Sequence, residues 1–163
     1  MPELVVRPMG QSEFDQWYEA STRVLAASQV AAGNWSAEEA LTLAHEARRA
    51  LLPDRLATAG MLFLVGLLPD GTPVGSAWLG LTHPRGTPNC AFLYFIEVDE
   101  QHRGTGYGRV LLTASEDAAR SHGVRSLELN VFGSNTPAIQ LYETSGYGVV
   151  TQQMRKSLDE QQS

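Results

Sequence analysis

Between Val98 and Arg109 the chain reads Val-Asp-Glu-Gln-His-Arg-Gly-Thr-Gly-Tyr-Gly-Arg, with glycines at 104, 106 and 108 between arginines at 103 and 109. Glycines at that spacing let successive backbone amides turn to one side, and a helix opening there adds partial positive charge. Arg103, Gly104, Thr105, Gly106, Tyr107, Gly108 and Arg109 therefore form a candidate pyrophosphate cradle; the plain alternative is a tight strand-to-helix turn without a ligand. Glu97 is a lone carboxylate in the apolar run 91–98, where burial would raise its pKa toward a value useful in a general base. Strand alternation puts Phe92, Tyr94 and Ile96 on one face and Glu97 on the other unless a bulge re-aims it, and Glu97 could merely pair with a helix. Asn130 could orient a water that relays a proton, or be a satisfied structural amide. By spacing alone, Tyr142 is as readily a core aromatic as an acid.

Other chemistries fit less well. A dinucleotide fingerprint needs glycine where Arg109 stands, and a nucleoside triphosphate loop needs Gly-Lys-Ser or Gly-Lys-Thr, which the chain lacks. His45, His83, His102 and His122 have no ligand spacing with one another, so no metal is expected. Cys90 has no neighbour in sequence to activate it and reads as an inert thiol. Trp17, Tyr18, Trp35 and Trp78 offer aromatic surface, and Trp35, on a loop between two helix ends, is the candidate to touch a substrate.

The elements that must position these residues follow from pattern. Residues 4–7 read as a short strand, then Ser12 as the cap of a helix to about Ala32, stopped by Gly33. Ser36 and Glu39 form a capping box for a second helix over 37–52, which Pro53 ends. Residues 61–65 and 74–81 form a hairpin around Pro69-Asp70-Gly71, and 91–98 is a third long strand. A helix over 108–122, capped by Gly123, and a strand over 127–131 complete a crossover, so 91–98 and 127–131 run parallel. Pro137 suits the first turn of a last helix ending near Gly146, and 147–154 is expected to close as one more strand. The fold class is α/β (α+β), one domain over 1–163.

Composition narrows function further. The 163 residues suffice for a core without disulfides, and a formal charge of −6 from 18 acidic and 12 basic side chains disfavours nucleic acid as a partner and mildly favours a cationic acceptor. The longest apolar run, 61–68, is too short to span a bilayer. One cysteine and no basic-plus-apolar leader point to the cytoplasm, and Asn34-Trp35-Ser36 is read as a chance glycosylation triplet.

Arg103-x-x-Gly106-x-Gly108 after Ile96-Glu97-Val98 resembles the acetyl-coenzyme A signature of the GNAT superfamily of N-acetyltransferases. Asn135-x-x-Ala138-Ile139-x-Leu141-Tyr142-Glu143-x-x-Gly146-Tyr147 is similar to that family's other cofactor segment. The resemblance implies a mixed, mainly antiparallel sheet of six to seven strands with about four helices, its central strands splayed at the cofactor site, with helices over 12–52 on the acceptor side and a cofactor core over 91–147. It implies that amides over 103–109 bind pyrophosphate, that the backbone at Ile96, Glu97 and Val98 pairs with pantetheine, and that Asn135 and Ala138 hold the pantetheine arm. The thioester would lie between Glu97 and Asn130, and Tyr142 would protonate the departing coenzyme A thiolate. The family often carries its base earlier on this strand, where this chain has Phe92 and Tyr94, and Tyr94 joins Trp35 as a candidate substrate contact. The implied activity is direct transfer of acetyl from acetyl-CoA to a primary amine, a small molecule or a peptide, without a metal and with room for a homodimer. The alternative is a silent acyl-CoA sensor or interaction module.

Overall fold

The computed structural model describes residues 2–159, which fall into two compact units divided after Phe132. The first unit holds a five-stranded sheet in the order β1-β2-β3-β4-β5, made of Val5–Pro8, Met61–Leu67, Pro73–Gly80, Cys90–Val98 and Ser126–Leu129. The first three pairings are antiparallel and β4 with β5 is parallel, as the crossover requires. Two helices precede the central hairpin, α1 (Gln11–Ala31) and α2 (Ala40–Leu51), and α3 (Tyr107–Ser121) makes the crossover.

α1 begins one residue before Ser12, and Ser12 does not cap it. The Glu13 carboxylate reaches back to accept the Gly10 amide at 2.8 Å and is itself held by Arg7, so an acidic first turn anchors the helix to β1. For α2 the Ser36 hydroxyl accepts the Glu39 amide at 3.4 Å, as the capping box predicts, but regular helix starts only at Ala40. The aromatic stripe Phe14, Trp17 and Tyr18 packs on Phe63, Val65 and Trp78 of the sheet, and Trp17 meets Trp78 edge-on at 5.7 Å. Trp78 is fully buried, so truncating it to alanine would cost about 3–5 kcal/mol. On α3 the buried positions Leu111, Leu112, Ser115 and Ala119 fall on one helical face. That helix contacts β3, β4 and β5.

The second unit holds α4 (Thr136–Thr144). Asn135 caps it, its side-chain oxygen accepting the Ala138 amide at 3.3 Å, with Pro137 in the first turn as expected. Past Gly146 the expected strand over 147–154 does not form. Residues 151–159 take no regular structure, Val149 and Val150 are 72% and 71% exposed, and one adjacent apolar pair between Gly148 and Thr151 gives a ladder little to bury. The described sheet therefore has five strands, not six or seven.

Candidate active site

The elbow after β4 has the geometry its glycines imply. Gly104 and Gly106 take φ of 79° and 94°, the left-handed region, and Gly106 is the residue from which α3 starts. A side chain at Gly104 would meet nothing within 4 Å, so that bend needs glycine for its backbone angle, not for space. The first-turn amides of α3 have no partners within the helix, the standing condition for anion binding. Arg103 braces the loop by donating from Nε to the Val98 carbonyl at 2.8 Å, and the Thr105 hydroxyl donates to the His102 carbonyl at 2.9 Å.

The ladder between β4 and β5 covers only Cys90–Leu93 against Ser126–Leu129. Beyond it, residues 94–98 have no strand partner on that side among the strands of the first unit, which leaves the main-chain groups of Ile96 and the Val98 amide for an extended ligand, the Val98 carbonyl being held by Arg103. A pantetheine arm with its two amides fits such an edge, and a diphosphate fits the elbow that follows it. The ladder stops because β5 ends at Leu129, so Asn130 lies past the strand and is exposed. The structure does not bring it together with Glu97 in any contact.

Glu97 reaches its position through a bulge. Trp78 pairs with Phe95 and Leu79 with Leu93, so Tyr94 is an extra residue on β4. Tyr94 stacks on Trp78 at 4.5 Å and Phe95 meets Trp17 edge-on at 5.6 Å, so two successive side chains face α1. Two residues on, Glu97 takes the same face. It lines a cavity of about 270 Å³ between α1 and the sheet, together with Trp17, Ser21, Val24, Phe95 and the acidic Glu13 and Asp99. Burial pushes the Glu97 carboxyl above its ordinary value, the nearby Arg103 opposes that, and Asp99 adds to it. The guanidinium of Arg103 stands 3.9 Å away with its side chain 57% exposed, a weak pairing.

Other expected site residues lie elsewhere. Trp35 is half-buried against Ala26, Ala40 and Ala44, outside the cavity wall. Tyr94 also stays out of the wall, held between Trp78 and Phe92, and burial raises its phenol above the ordinary tyrosine value. In the second unit Tyr142 is 8% exposed, packs edge-on to Tyr147 at 5.8 Å, and has its phenol raised above the ordinary value by burial. A shallower groove over α1 and α2 is lined by alanine, valine and leucine, which offer no reactive group.

Histidine spacing along the chain conceals one cluster that folding creates. His83, Cys90 and Glu128 bring ligand atoms within 4.8 Å of one another. The Arg85 amide donates to His83 Nδ1 at 3.0 Å, which places the proton on Nε2, and Nε2 donates to Glu128. A nitrogen carrying that proton has no lone pair for a metal, and the cluster instead ties the β3–β4 loop to β5, with Arg85 also on Glu128 at 2.7 Å. Sequence reasoning also missed the cavity residues Glu13, Ser21, Val24, Phe95 and Asp99. The α1 members recur at helical spacing, a signal that one face does more than fill a core.

Comparison with known proteins agrees with this geometry. The chain is 34% identical over 155 residues to the uncharacterized N-acetyltransferase YycN of Bacillus subtilis, covering 95% of this chain and 99% of that one. The crystal structure of that putative acetyltransferase superposes with a TM-score of 0.89 at 33% identity, over 97% of this chain and 100% of the other. A second Bacillus subtilis relative, the uncharacterized N-acetyltransferase YdgE, is 28% identical over 92% of this chain and 95% of its own length. The PaiA N-acetyltransferase of Thermoplasma acidophilum, solved in complex with coenzyme A, shares the fold with a TM-score of 0.65 at 20% identity, over 90% of this chain and 91% of its own. No helix among the described residues is long and apolar enough to cross a membrane. Residues 14–147 match the model of the Acetyltransferase (GNAT) family, and the chain belongs to that family of acetyl-CoA-dependent acyltransferases.

Proposed function

We propose that the protein transfers an acetyl group directly from acetyl-CoA to a primary amine held in the cavity between α1 and β4. The observation that carries this reading is the bulge at Tyr94, which turns Glu97 into that cavity on the strand that runs straight into the glycine elbow. Bound acetyl-CoA supplies an activated thioester. The elbow over 103–109 holds its diphosphate, and the open edge at Ile96 and Val98 orients its pantetheine.

An amine is mostly protonated at neutral pH and attacks only once neutral. Glu97 takes that proton, and its raised pKa makes it a stronger base than an ordinary carboxylate. The acidic wall of Glu97 and Asp99 favours a cationic visitor in the first place. As the carbon–nitrogen bond forms and the carbon–sulfur bond breaks, Tyr142 gives its proton to the sulfur. The motif around Tyr142, not a measured distance, supports that role. A reducing cytoplasm suits the buried thiol of Cys90.

Release of free thiol across a broad panel of amines tests the activity. Tyr142→Phe should lower kcat about 10²-fold with little change in coenzyme A affinity. Purified protein that binds acetyl-CoA but releases no thiol with any amine would make it a sensor instead of an enzyme.

A further inference from the structure

Arg48 is the anomaly of the interior. It continues the buried stripe Ala40, Ala44 on α2, is 5% exposed, and has no carboxylate within ion-pair distance among the described residues. Its guanidinium lies 4.8 Å from the centre of the Trp78 ring and 5.8 Å from that of Trp17. Its one polar partner is the Ser21 carbonyl, reached from Nη2 at a long 3.4 Å. Burial lowers its pKa to about 10, which still leaves it protonated at neutral pH. The faces of two indoles replace only part of the hydration a guanidinium gives up.

Two donors here have no acceptor: Arg48 Nε and, on the ring it covers, Trp17 Nε1. Interiors rarely leave such groups unpaired, and these two, on residues in ring contact, call for an acceptor from outside the chain. The fork of a guanidinium matches a carboxylate, and the neighbouring indole N–H adds a third donor. Trp17 and Ser21, the two residues Arg48 touches on α1, also form the wall of the Glu97 cavity, so Arg48 stands directly behind it. A carboxylate reaches Arg48 from the cavity only if the Trp17 ring turns.

Resting on the acetyl-transfer reading above, we infer that the acceptor is an amino acid, its carboxylate received by Arg48 and Trp17 Nε1 while its amine faces Glu97. Glu97 and Asp99 then draw in the ammonium from the sheet side of the cavity, while Arg48, on α2, receives the carboxylate from beyond the Trp17 and Ser21 wall. A simple amine would leave the buried cation as unpaired as it is without a ligand.

Matched pairs differing only in the carboxylate test this: L-leucine with isoamylamine, L-phenylalanine with phenethylamine, and 6-aminohexanoate with pentylamine. In thiol release the carboxylated member of at least one pair should be preferred roughly tenfold or more in kcat/KM. Arg48→Met, similar in volume, should abolish the preference. Arg48→Lys, which keeps charge without the fork, should keep part of it and serves if the methionine variant does not fold. Independently of turnover, the N-acetyl derivatives should raise the melting temperature of the parent protein above its value with coenzyme A alone, and should add nothing to coenzyme A in Arg48→Met. Preference for the decarboxylated amines, or a preference that survives in folded Arg48→Met, overturns the inference and leaves acetyl transfer standing. Silence of every amine removes the transfer reading, and the binding arm then decides on Arg48 alone.

Discussion

Gly75 is the position where the fold and the proposed chemistry can be perturbed together. A Cβ built there would lie 2.5 Å from the carbonyl oxygen of Glu97, 2.8 Å from Leu111 Cδ1 and 3.2 Å from Val98 Cα. The leucine methyl can rotate away, but the carbonyl belongs to the backbone of β4, whose register pairs Gly75 with Val98. The carbonyl contact is about 1 Å too close, so Gly75→Ala must push β3 and β4 apart by a comparable distance at the strand end that carries Glu97. Overpacking of this kind costs about 2 kcal/mol, which for a chain of this length lowers the melting temperature by about 4–8 °C. The same displacement takes Glu97 out of reach of its proton and should lower kcat/KM by about 10²-fold. Gly133→Ala is the control, since its Cβ would meet nothing within 4 Å. Melts by circular dichroism and thiol-release kinetics on the three proteins decide the matter. A Gly75→Ala protein that melts within about 2 °C of the parent and keeps its kcat/KM would refute the reasoning.

Glu97→Gln should remove activity and at the same time raise the melting temperature at neutral pH. A carboxyl whose folded pKa is raised above its unfolded 4.5 adds stability that is complete below that value and is lost as pH rises through the folded pKa, so the gain of the glutamine variant should vanish in melts below pH 4.5. Glu128→Ala strands the fully buried His83 Nε2–H and releases Arg85, and should cost about 2–3 kcal/mol in chemical denaturation without changing coenzyme A affinity.

The sequence shows some features of this protein and hides others for identifiable reasons. The crossover and its elbow are legible because glycine at 104 and 106 has a backbone reason that survives any tertiary context. The hairpin of β2 and β3 is legible from its turn, where the Asp70 carboxylate accepts the Thr72 amide at 2.9 Å. The strand expected over 147–154 fails because an apolar pair signals a strand only where a partner covers it. Ser12 was favoured as a cap by residue type, yet Glu13 serves the Gly10 amide from inside the helix. Arg48 is hidden by its type: spacing from Ala40 and Ala44 puts position 48 on the buried face, but an arginine there reads as a surface residue.

The bulge is the most consequential of the hidden features. Alternation can be read only where a strand has one wet face, and Cys90–Val98 is apolar on both, so an inserted residue leaves no mark on the pattern. Yet everything proposed for the site depends on that insertion. Without Tyr94 as the extra residue, Phe95 and Glu97 would face α3, and the cavity would lose the Glu97 carboxylate while keeping Glu13 of α1. Trp78 is what tolerates the irregularity: Tyr94 stacks on its ring while Phe95 and the Trp78 indole both pack on Trp17, so four aromatic rings absorb the kink that a β-ladder would otherwise resist. The aromatic content of α1 and β3, read from sequence as aromatic surface, is better understood as the clamp that holds one carboxylate on the α1 face of the sheet.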